Sequence, residues 1–146
     1  MMMKMKLVII FAIMIYNFPI VTQQVQEVKT QNGYFWHSLS SPVPYTNPRQ
    51  DFLSGMLERY RIIKIAENRD YLSDCRKELQ NLQEDMKQKS FNLDVVVKSI
   101  NNFYSVSENL DILIVDAYCY CIKEIAGISK SELIKYKNEL VERYKN

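Results

Sequence analysis

The sequence predicts an all-α protein, a small four- or five-helix bundle that follows an irregular N-terminal arm and a signal peptide. Three observations lead there. Apolar residues recur at helical spacing through residues 47–146, most cleanly as Leu72, Cys75, Leu79, Leu82 and Met86. Helix-start and helix-stop signals fall between these runs. The stretch of residues 110–125, LDILIVDAYCYCIKEI, is apolar around most of its girth, as a helix must be when neighbours cover it.

The elements follow in chain order. Asn47-Pro48 has the chemistry of a helix start, an Asn cap before a proline that needs no hydrogen-bond donor. Leu53, Met56, Leu57, Tyr60 and Ile63 then form one stripe. That stripe is out of phase with the run from Leu72 to Met86, so a kink or break is expected near Asn68. Ser90 and Asn92 offer the next cap, with Asp94 placed to complement the helix dipole. Leu93, Val96, Val97, Ile100, Phe103 and Tyr104 make the apolar face.

Residues 105–108 have capping-box spacing and point to a central helix over 110–125. At about 100° per residue, Leu110, Ile114, Tyr118, Cys121, Ile122 and Ile125 gather on one side. Asn109, Asp116, Tyr120, Lys123 and Glu124 gather on the other. Its many β-branched and aromatic residues suit a strand as well, but its length and flanking signals favour a helix. Gly127 is placed to close it in the left-handed conformation. Ser129 and Glu132 form a second capping box, with Ile128 and Leu133 as its hydrophobic staple.

The N-terminus has the order of a secretory leader: Lys4 and Lys6, an apolar run over residues 7–16, then Thr22 before Gln23. The apolar run is short of the ~20 residues that a spanning helix needs. The expected domains are therefore a signal peptide over 1–22, an arm over 23–46 and a helical bundle over 47–146. Within the arm, Asn32-Gly33 is the strongest turn signal and suggests a hairpin of residues 25–31 with 34–39. Ser40, Ser41, Pro42, Pro44 and Pro48 break regular structure beyond it.

Charge and cysteine content narrow the function. Taking Lys4 and Lys6 from the 19 basic residues leaves 17, matching the 17 acidic ones. A neutral mature chain of interleaved signs lacks the electrostatic footprint for nucleic acid or anionic lipid. Three cysteines in a secreted chain suggest one disulfide and one free thiol. The stripe places Cys75 toward the core, and the wheel places Cys121 on the buried side of the central helix. A Cys75–Cys121 bond is therefore expected, leaving Cys119 free or available for dimerisation. In an oxidising compartment these thiols pair more readily than they join His37 in a zinc site, and no metal or other cofactor is expected.

His37 is the sole histidine, and no hydrolase, metalloprotease or phosphate-loop motif is present. Asp111 and Asp116, in the central stretch, are the carboxylates that an enzymatic reading would turn to. The aromatic cluster Tyr34, Phe35 and Trp36 is the leading candidate for a binding site, since three consecutive rings cannot all face one core. The expected function is that of a secreted, non-enzymatic α-helical protein that binds another protein, by fold-level analogy with helical cytokines and small secreted effectors. The alternatives are a carrier of a small apolar ligand and an enzyme with an unrecognised carboxylate site. The compartment is extracellular, or periplasmic in a bacterium.

Overall fold

Six α-helices and two 3-10 turns run through the residues that the computed structural model describes, 31–39, 46–85 and 92–145, and no β-strand is among them. The helices are α1 (Gly33–Ser38), α2 (Pro48–Glu67), α3 (Arg76–Asp85), α4 (Leu93–Tyr104), α5 (Ile114–Ile125) and α6 (Lys130–Tyr144). The 3-10 turns are Ser73–Cys75 and Ser107–Asn109. This is the all-α bundle that the periodicity predicts, with a short additional helix at its start. The predicted leader, the first strand of the expected hairpin except its last residue, Gln31, and most of the proline-rich stretch lie outside the described residues.

The helix ends follow the local chemistry. Asn47 Oδ1 accepts the Gln50 amide at 3.2 Å with Pro48 at the first helical position, and Asn92 Oδ1 accepts the Val95 amide at 3.0 Å. Each satisfies an amide that has no partner within its own helix. Gly127, at φ 76°, closes α5. Its amide donates to Glu124 O at 3.0 Å and the Ile128 amide to Lys123 O at 3.1 Å, the paired bonds of a Schellman closure. Ser129 Oγ then caps α6 by accepting the Glu132 amide at 3.4 Å.

The break near Asn68 is real. Asn68 adopts φ 53° after α2 ends at Glu67, a left-handed conformation that Asn tolerates better than most residues. α2 and α3 are therefore separate helices with their buried faces set independently.

α5 is the centre of the bundle. It packs against α4, α6, α3 and the Ser73–Cys75 turn, and Ile114, Val115, Ala117, Tyr118, Cys119, Cys121 and Ile122 are all buried. It starts at Ile114, later than the sequence suggests. Residues 110–113 instead dock the start of α1, since Leu110 O accepts the Gly33 amide at 2.9 Å and Leu113 bridges Asn32. Residues 105–108 accordingly do not cap α5. Ser105 ends α4, and Glu108 lies in the second 3-10 turn.

Two further expectations need correction. The arm is not irregular throughout, because residues 33–38 are helical. Asn32 Oδ1 accepts the Phe35 amide at 3.3 Å, so Asn32-Gly33 starts a helix instead of turning a hairpin. The disulfide joins Cys75 to Cys119, with Cα atoms 5.1 Å apart, and Cys121 is the free cysteine. The helical wheel misled here because α5 is covered on nearly every side, so both of its cysteines are buried and apolar pattern cannot choose between them. With its sulfur in this bond, Cys119 offers no thiol for an intermolecular disulfide. Among the described residues no helix is long and apolar enough to cross a membrane.

Candidate functional site

Tyr34, Phe35 and Trp36 leave α1 in three directions, and only one of the rings faces solvent. Trp36 is fully buried. Its Nε1–H donates to Asn101 Oδ1 at 2.8 Å, and the Arg49 guanidinium lies 5.6 Å from its ring centre. Arg49 also donates to Asn101 Oδ1 at 2.9 Å and to Trp36 O at 3.2 Å. This polar knot ties α1 to α2 and α4 and makes Trp36 an anchor of the fold. Phe35 is half-buried against Phe52, with ring centres 5.1 Å apart. Tyr34, 59% exposed, is what remains of the predicted cluster as accessible surface. His37 sits at the exposed edge and donates through Nε2 to Tyr104 O at 3.1 Å.

The larger exposed apolar surface lies at the other end of α2. Leu53, Met56 and Tyr60 fill the core side of this helix. From Arg61 to Arg69 no residue is buried. Ile62 and Ile65, 52% and 73% exposed, lie opposite Met56 and Tyr60 on the helical wheel. Gly55 and Ala66 are exposed on the same side. The stripe that defines the core face of α2 is visible in the sequence, and the isoleucines off that stripe are the signal for this surface.

Polar contacts brace this end, where Ile63 alone of the α2 residues after Tyr60 packs against the core. Asp70 receives Lys64 Nζ at 2.9 Å, Arg76 Nε at 3.0 Å and the Leu72 amide at 3.0 Å, with a second bond from Arg76. The hydrogen bond from Arg76, together with Lys64 and the Leu72 amide, holds the Asp70 carboxyl well below the usual carboxylate range. Tyr60 and Tyr71 stack with ring centres 4.7 Å apart, and Arg69 donates to Tyr71 Oη at 3.1 Å. Glu58 and Arg61 form a two-bonded pair on the surface at 2.8 and 2.6 Å.

The two carboxylates of the central stretch lie in different settings. Asp111 is exposed in the turn before α5. Asp116 does not lie on a solvated strip. Its side chain is 15% exposed beneath the end of α6, where Tyr144 donates to it and Arg143 lies 3.6 Å away. Burial pushes Asp116 up, against the pull of Tyr144 and Arg143. Burial, and then Asp116 itself, raises Tyr144, so this hydroxyl keeps its proton as the donor of a helix-to-helix tie. The Cys121 thiol is pushed up to about 12 by burial and stays protonated. A zinc set of His37 with all three cysteines is not open to the protein, because Cys75 and Cys119 are bonded to each other.

Compared with protein-family models, curated proteins and solved structures, the chain matches none of them.

Proposed function

We propose that this is a secreted, non-enzymatic protein that acts by binding another protein, with the end of α2 as its contact surface. The observation that carries the reading is the pair Ile62 and Ile65, more than half exposed on a helix end where only Ile63 still packs against the core. Apolar side chains grouped on a solvent-facing surface mark interaction sites, and an ordered helix offers them in fixed register to a groove on a partner. The bracing around Asp70 supports this, since a pre-ordered surface loses less entropy on binding. The leader-like N-terminus and the Cys75–Cys119 bond favour an oxidising, extracellular setting.

The carrier reading has less support. The half-open pocket between α4, α5 and α6, beside Phe103 and Tyr120, is about 140 Å³, against the ~300–1,000 Å³ of typical small-molecule sites. A groove of about 600 Å³ along Ile134 and Asn138 is open and formed by α6 alone, which suits a surface contact better than an enclosed ligand.

A photo-crosslinking residue at position 65 tests the reading in the native extracellular fluid. A discrete adduct at position 65, absent when the same residue is placed at Lys77 on α3, is the expected result. Identical or absent labelling at the two positions counts against the surface.

A further inference from the structure

We infer that Asp70 is the positioning residue of this surface: it fixes the direction in which the last two turns of α2 present Ile62 and Ile65. The inference rests on the binding reading above and adds how the site is held. Helix ends fray unless something beyond their own hydrogen bonds secures them, and packing secures this one only through the partly buried Ile63, since no residue from Arg61 to Arg69 is fully buried. Asp70 adds a polar restraint to that single apolar contact. Its carboxylate reaches back to Lys64 in the final turns of α2 and forward to Arg76 at the start of α3, and it accepts the Leu72 amide between them. One side chain thus joins the end of α2, the left-handed turn at Asn68 and the beginning of α3.

The position of α3 makes this restraint effective. Cys75 precedes Arg76 directly and is bonded to Cys119 in the buried centre of the bundle. Arg76 is therefore referenced to the rigid core, and Asp70 transmits that reference to the exposed helix end. The carboxyl is held in its charged form by its partners, so the clamp persists throughout the neutral range.

Hydrogen exchange on the full chain tests the assignment without a partner in hand. In Asp70→Asn, the amides of residues 64–67 should exchange at least tenfold faster, while those of Ile100 and Ile122 keep their protection. Asp70→Glu, which retains the charge, should restore part of the lost protection. Unchanged exchange at 64–67 overturns the inference, and so does an equal loss of protection in α4 and α5, which makes Asp70 a general stabiliser instead of a local one. The outcome is independent of the crosslinking result: loss of the adduct at position 65 removes the binding reading and leaves the clamp, and the reverse also holds.

Discussion

The Trp36 indole donates to Asn101 Oδ1 across 65 positions of sequence, and the same oxygen accepts from Arg49. One amide oxygen therefore secures three helices at once. The most conspicuous aromatic of the chain thus holds α1 against α2 and α4.

Trp36→Ala should lower stability by ~3–5 kcal/mol, as expected for a large side chain removed from a packed site. Tyr34→Ala, on the exposed side of the same helix, should stay within ~0.5 kcal/mol of the parent. Urea melts of the two variants check both values. Equal losses would mean that α1 is held as a whole and not by its indole.

Gly33→Ala should loosen α1 by another route. A Cβ at this position would fall 2.6 Å from Tyr104 Cδ1 and 2.8 Å from the Leu110 Cα atom, and a backbone atom cannot rotate aside. Overpacking of this kind costs ~1–3 kcal/mol. Thermal melts, together with the tryptophan emission of Trp36, should report the loss.

Much of this architecture is legible in the sequence, and its failures have physical causes. Asn47, Asn92, Gly127 and Ser129 act where their chemistry places them, because a cap is a local event decided within four residues. The break at Asn68 shows as a phase shift between two apolar stripes. α1 does not show, because its helix depends on a partner 77 positions away: Leu110 O takes the Gly33 amide. The choice between Cys119 and Cys121 fails for a similar reason, since a helix wrapped on nearly every side leaves no polar face to orient it. Ile62 and Ile65 are visible as apolar residues off the buried stripe, but whether another element covers that side of α2 is a matter of tertiary placement.

Non-reducing peptide mapping should recover a Cys75–Cys119 linked peptide, with Cys121 alkylated only after unfolding. Closing a loop with a sequence separation of 44 should contribute about 4 kcal/mol in the chain-entropy model. Denaturant melts of the oxidised and reduced protein measure it. A Cys75–Cys121 peptide would overturn this register of α5.

Asp70 and Asp116 should respond to pH in opposite senses. The folded-state pKa of Asp70 is depressed, so its contribution is present above the unfolded value of about 3.9 and is lost as pH falls through the folded one. The stability deficit of Asp70→Asn should thus be largest near neutrality and shrink in acid. Asp116 is raised, so its contribution is full below the unfolded value and is lost as pH rises through the folded one. Asp116→Asn should gain relative to the parent as pH rises from 3 to 7. Parallel pH series of urea melts on the two variants check the signs, and matching trends would contradict the assignments.

The most direct test of the central claim is the affinity of the protein identified by crosslinking at position 65, measured against the parent and an Ile62→Glu/Ile65→Glu double variant with matched melting behaviour. Removing true interface anchors typically costs ~2 kcal/mol or more, so a loss of affinity of about thirtyfold or greater is expected with the fold intact. Unaltered affinity in a folded double variant would contradict the claim that the end of α2 is the contact surface.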